Sequence, residues 1–107
     1  MTCVRGDLYR LRADKTAVGH GRQGARFAVV LQTELLATST LVVAPTSTSA
    51  RPGIIHPRLD MDGTATVVLV EQMTAVASER LGDFAGRVEP EEWAEIEHAV
   101  KLVLGLL

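Results

Sequence analysis

Cysteine is almost missing from this chain of 107 residues, and the one present, Cys3, cannot close an internal disulfide. That fits a reducing compartment, and with no partner residues nearby in sequence Cys3 reads as an inert thiol. Long hydrophobic runs are missing too. Apolar residues make up 47% of the chain, yet no run approaches the roughly 18 residues that would span a bilayer. The opening Met-Thr-Cys-Val-Arg-Gly-Asp has none of the apolar stretch of a secretory signal. These absences lead to the expectation of one soluble cytoplasmic domain over residues 1–107, a length that can bury one core.

Several chemistries drop out in the same way. There is no cysteine pair and no His-x-x-x-His, so no zinc site is expected, and no metal or cofactor is assigned. No glycine-rich phosphate loop ending in Lys-Ser/Thr appears, and no Gly-x-Ser-x-Gly elbow. Net charge is only −2, so bulk electrostatics do not announce a nucleic-acid binder. The sign is uneven, however. Arg5, Arg10, Arg12, Lys15, Arg22 and Arg26 crowd the first quarter, while Glu89, Glu91, Glu92, Glu95 and Glu97 crowd the end. The basic stretch suits either a local phosphate-attracting face or a solvated strand face.

What is present is a series of short strands. Leu8 to Arg12 alternates apolar with polar and reads as a half-buried strand. A polar stretch from Ala13 to Ala25 follows, long for a connection and of the kind that carries function. Phe27 to Leu31 and Thr40 to Ala44 are continuous β-prone runs, the second ending at Pro45, past which Thr46, Ser47, Thr48 and Ser49 extend as a hydroxyl-rich strand end or loop. Pro52-Gly53 marks a turn, Ile54 to Leu59 a short strand, and Asp60 to Gly63 another turn. Thr66 to Val70 leads into Glu71-Gln72, and Asp83 to Val88 supplies a weaker last strand. Pro90 at a first helical position, with Glu91 and Glu92 beside it, starts a helix whose apolar stripe is Trp93, Ile96, Val100, Val103, Leu104 and Leu107. Five or six short strands and one terminal amphipathic helix give a mainly β, α+β fold, a small barrel or strongly bent sheet with the helix plugging or flanking it.

Polar groups at strand ends mark the candidate site: His20 and Arg26 around the long loop, Ser47 after the second β-prone run, Glu71 after the third. Together these residue types suit acid–base work at a phosphodiester. Imidazole or carboxylate takes a proton, and guanidinium stabilises the charged phosphorane. Taken singly, each of them is better accounted for by a structural hydrogen bond or ion pair.

The order of these pieces resembles the MazF/PemK/Kid family of messenger-RNA-cleaving toxins of type II toxin–antitoxin systems. Arg5-Gly6-Asp7-Leu8-Tyr9 is similar to the family's opening strand. Gly19-His20-Gly21-Arg22-Gln23-Gly24-Ala25-Arg26 resembles its Gly-His-Glu-Gln-x-Gly-x-Arg-Pro segment, Val43 to Ser47 its Val-x-Pro-aliphatic-Thr-Ser, and Leu69 to Gln72 its acidic-glutamine strand end. Arg80-Leu81, Gly86-Arg87-Val88 and the terminal helix follow in the family's order, so the resemblance spans essentially the whole chain.

The resemblance implies an SH3-like barrel, a homodimer, a cognate antitoxin with an acidic disordered tail, and metal-independent cleavage of single-stranded RNA that blocks translation and growth. It implies Arg26, Ser47, His20 and Glu71 as catalytic residues, and Arg22, Gln23, Thr46, Thr48 and Gln72 as RNA contacts. It also implies two alternatives: a non-catalytic toxin of this fold that binds a protein such as gyrase, or a degenerate member that only pairs with antitoxins. The chain departs from the pattern at Gly21 for glutamate, Phe27 for proline, and Leu69 where some members have a second arginine. His56 is expected on a surface strand and His98 on a helix face.

Overall fold

The structure, a computed structural model, describes residues 3–12 and 26–107. Seven strands are found there: β1 (Asp7–Leu11), β2 (Arg26–Val30), β3 (Thr40–Ser47), β4 (Arg58–Met61), β5 (Thr64–Val68), β6 (Thr74–Ala77) and β7 (Leu81–Arg87). A 3-10 turn, Val70–Gln72, separates β5 from β6, a second, Ser78–Arg80, separates β6 from β7, and helix α1 (Pro90–Val103) ends the chain. All strand pairs are antiparallel, in the order β4-β5-β3-β2-β1-β7, with β6 also on β3. The result is a mainly antiparallel half-barrel with one C-terminal helix, as the sequence led one to expect.

The continuous apolar runs are explained by two cores, one on each side of the central strands. Leu8, Val29 and Ala44 point to one, which α1 covers with Ile96 and Ala99; Tyr9, Ala28, Val30 and Val43 point to the other, closed by Val76 and Leu81. Because alternate residues face opposite sides, a strand buried on both sides must be apolar at nearly every position. That is why β2 and the start of β3 do not alternate with polar residues.

β3 runs through Pro45 to Ser47, so Thr46 and Ser47 are strand end rather than loop. The far edge of β3 is shared: β6 pairs with Thr40–Val43 and β5 with Thr46–Ser47. The Pro45 carbonyl accepts from the Leu69 amide at 2.8 Å, on this shared edge. Within a strand a residue's N and C=O point the same way, so the missing N–H falls in the gap between β6 and β5, where no ladder bond is lost. The hydroxyl row thereby becomes ordered strand as far as Ser47.

Three further expectations shift. The strand expected at Ile54 to Leu59 starts only at Arg58, because Gly53 and His56 exchange backbone hydrogen bonds of 3.1 and 3.0 Å and close a turn first. The strand expected at Thr66 to Val70 runs from Thr64 to Val68, which puts Glu71 and Gln72 in a 3-10 turn. The stripe of α1 is covered only as far as Val100. Leu104 is 54% exposed and Leu107 68%. At the other end the helix starts as read, with Pro90 at its first turn and a reciprocal Glu89–Glu92 capping box.

The opening Arg5-Gly6-Asp7 motif turns out to have structural contacts. Gly6 adopts φ +93°, which a side chain rarely tolerates. Buried Asp7 accepts from the Val4 amide at 3.0 Å and pairs with Arg87 at 2.9 Å, tying the start of β1 to the end of β7. The Arg5 guanidinium lies 5.2 Å over the Trp93 ring, linking this corner to α1. Burial and the neighbouring Cys3 push the Tyr9 hydroxyl up to about 12.

Candidate active site

β2 and β3 set the geometry of the site. Ala28 faces Pro45 in the β2–β3 register. Continued two residues, that register sets Arg26 across from Ser47 on the side of the sheet that also carries Ala28 and Val43. The Thr46 hydroxyl, on the opposite side, donates to the Phe27 carbonyl at 3.2 Å and holds the two strand ends together. Arg26 is half-buried at the first position of β2, braced on its other edge by pairing with Leu11.

Arg26, Thr46, Ser47 and Thr48 line one cavity of about 470 Å³, with Phe27, Ser49, Thr64, Thr66, Met61, Asp62 and Ala85 completing its wall. One cation, one carboxylate and six hydroxyl residues line it; the guanidinium and hydroxyls suit phosphate and sugar oxygens, and the volume lies in the range of small-ligand sites. A neighbouring space of about 690 Å³ shares Ser47, Thr48 and Thr66 but is walled by Asp60, Glu91, Glu92 and Glu95 against Arg58. Although larger, it repels a polyanion, so the Arg26 side is the better place for one.

Ser47 has its lone pairs engaged. Its Oγ accepts from the Ser49 amide at 3.2 Å and the Ala50 amide at 3.0 Å, and lies 3.3 Å from Ser49 Oγ. The hydroxyl proton is therefore what Ser47 can offer to an oxygen in the cleft.

Glu71 and Gln72 do not line this cavity. Glu71 instead meets His56: Oε2 lies 2.6 Å from His56 Nε2, while His56 Nδ1 lies 3.0 Å from the Arg51 carbonyl. The Glu71 hydrogen bond raises the His56 pKa above 6.5, against a smaller opposing effect of burial and with help from the Arg51 carbonyl. His20, Arg22 and Gln23 lie outside the described residues. Asp62, Thr64 and Thr66 were not read as site residues. The Asp-Gly turn signal marked a hairpin tip, but which cavity the tip reaches depends on the distant pairing of β5 with Ser47.

Among the described residues, no three His, Cys, Asp or Glu side chains converge as a metal site would require, and no helix is long and apolar enough to cross a membrane. A half-barrel with a cationic, hydroxyl-lined cleft at the ends of two central strands defines the class. The chain belongs to the family of PemK-like, MazF-like toxins of type II toxin–antitoxin systems, whose model matches residues 4–104.

The candidate toxin Rv3098A of Mycobacterium tuberculosis is 36% identical over 104 residues, covering 96% of this chain and 98% of that protein. Among solved structures, a MazE–MazF complex from Deinococcus radiodurans superposes with a TM-score of 0.82 at 21% identity, over 100% of this chain and 99% of the other. A mycobacterial endoribonuclease solved with its cognate antitoxin gives 0.78 at 22% identity, over 98% and 97%. The structural likenesses establish the fold.

Proposed function

We propose that this protein is an endoribonuclease toxin that cuts single-stranded RNA in the cytoplasm and thereby blocks translation. The observation that carries the reading is that Arg26 and Ser47, from different strands, line one hydroxyl-rich cleft. The scissile phosphate sits between them. Its neighbouring 2′-oxygen bonds to phosphorus, the bond to the 5′-oxygen breaks, and the products are a 2′,3′-cyclic phosphate and a 5′-hydroxyl. The nucleophile comes from the RNA, so no metal is needed to make one.

Arg26 stabilises the phosphorane, whose extra negative charge a fixed guanidinium binds more tightly than the ground state. Ser47 donates its hydroxyl to a phosphate oxygen, and Thr48 contacts the backbone. Because a guanidinium does not give up its proton, the acid–base step falls to His20, from the stretch of sequence before β2 that also supplies Arg22 and Gln23 as RNA contacts. Glu71 positions the Arg51–His56 turn through His56 rather than entering the cleft, and Gln72 flanks it. The toxin works as a homodimer and is held inactive by a cognate antitoxin, a partner suggested by the antitoxin complexes of its structural relatives.

The test is cleavage of a long transcript by purified protein in excess chelator, with fragment ends mapped chemically. Cyclic-phosphate ends from the wild type, lost in Arg26→Ala, are expected. Intact RNA under these conditions would overturn the reading, and undiminished cutting by the variant would remove Arg26 from it.

A further inference from the structure

Resting on the ribonuclease reading, we infer that Asp62 is the base-reading residue of the cleft and that it selects guanine next to the cut. Asp62 sits at the tip of the β4–β5 hairpin and lines the same cavity as Arg26 and Ser47. Among the described residues it is the one acidic side chain in that wall. None of the ion pairs among the described residues engages it. Its neighbour Asp60 is occupied differently, its carboxylate accepting from the Gly63 amide at 2.8 Å to close the turn.

A carboxylate in a cleft built for a polyanion opposes binding unless it meets hydrogen-bond donors on the ligand. Phosphates and ribose ether oxygens have none, and the 2′-hydroxyl has a single one, too few for both carboxylate oxygens. Unpaired bases carry donors on their Watson–Crick edges. A carboxylate only accepts, through two oxygens side by side. Guanine presents two adjacent donors, N1–H and the N2 amino group, and pairs with both oxygens. Adenine and cytosine present one donor beside an acceptor, and uracil one donor between two acceptors. The division of labour then follows: Arg26 and the hydroxyls hold the backbone, and Asp62 reads the edge.

Asp62 and Gly63 both have positive φ, +56° and +88°, as the tight two-residue hairpin requires. The turn alone would be served as well by Asn-Gly, so turn geometry does not explain the charge. Asparagine therefore makes a variant that keeps the fold. Asp62→Asn replaces one acceptor by a donor, which mismatches guanine and matches the donor–acceptor edges of adenine and cytosine.

The test sequences the cut ends of a randomised single-stranded RNA pool treated with wild type and with D62N. A guanine preference at one position by the cut is expected in the wild type, falling about tenfold or more in D62N among the ends that are cut, with adenine and cytosine gaining. Wild-type cutting without a guanine preference, or the wild-type preference retained by D62N, overturns the inference alone. Loss of all cutting in D62N, with the fold intact by circular dichroism, also overturns it, since the carboxylate would then belong to the chemistry. A wild type that cuts no RNA removes the ribonuclease reading and this inference with it.

Discussion

His56 bridges two segments fifteen positions apart: its Nε2 lies 2.6 Å from Glu71 Oε2 in the 3-10 turn, and its Nδ1 lies 3.0 Å from the Arg51 carbonyl. A carbonyl and a carboxylate both accept, so both ring nitrogens must donate, and only the imidazolium does that. The same turn is closed by the mutual Gly53–His56 backbone bonds.

The pH dependence has a definite sign. The folded His56 pKa is raised above its ordinary value, chiefly by Glu71. The folded state thus holds the proton more tightly, and the pair's stabilisation is complete below about pH 6.5, the unfolded value. It is lost as pH rises through the raised folded pKa. Melting temperatures of wild type and Glu71→Gln, taken from pH 5 to 9, should differ most at the acid end and converge at the alkaline end. A gap that does not change with pH would rule the imidazolium out.

The helix offers a sharp contrast within one element. Ile96 is fully buried in the core shared by α1 and the sheet, whereas Leu104 is 54% exposed. Ile96→Ala should cost about 2–5 kcal/mol through lost burial and the cavity left behind, lowering the melting temperature by about 10 °C or more. Leu104→Ala, measured in the monomeric protein, should stay within about 0.5 kcal/mol. Urea titrations of both variants decide it.

That contrast also marks how far periodicity reaches. Spacing identified α1, and the unbroken runs of β2 and β3 identified strands buried on two faces. Spacing could not tell that the stripe loses its cover past Val100. β6 escaped notice because Thr74-Ala75-Val76-Ala77 is only four residues long and buries one of them. The passage of β3 through Pro45 depended on a gap between two partner strands far away in sequence.

The site was legible in the same uneven way. Arg26 and Ser47 could be picked out as polar groups at the ends of apolar strands, and they do share a cleft. Glu71 looked equivalent, at the end of a third run, but that run stops two residues earlier and the chain turns, delivering the carboxylate to His56. The hairpin tip at Asp62 carried only a turn signal.

Arg26 should be the most sensitive position for cleavage. Arg26→Ala is expected to lower the rate by about 10²–10³, the usual loss when one charge-stabilising donor is removed. Arg26→Lys keeps the charge but not the planar two-pronged donor set, so it should recover only part. Single-turnover cleavage of a fluorescent oligonucleotide reads this directly. Lysine at full wild-type rate would reduce the role of Arg26 to that of a point charge.

Ser47 does two things that a single alanine variant would confuse. Its Oγ caps the strand end by accepting from the Ser49 and Ala50 amides, and its proton, with Ser49 Oγ at 3.3 Å, is the group it can turn to the cleft. Ser47→Ala should therefore lose both stability, about 1–2 kcal/mol for two such bonds, and cleavage. Ser47→Asp separates them. A carboxylate accepts from following backbone amides at least as well as a hydroxyl, so stability should return toward wild type. It has no proton to donate and repels the phosphate, so cleavage should fall below even the alanine variant. If the aspartate variant is stable and still cuts at the wild-type rate, the scissile phosphate does not sit at Ser47.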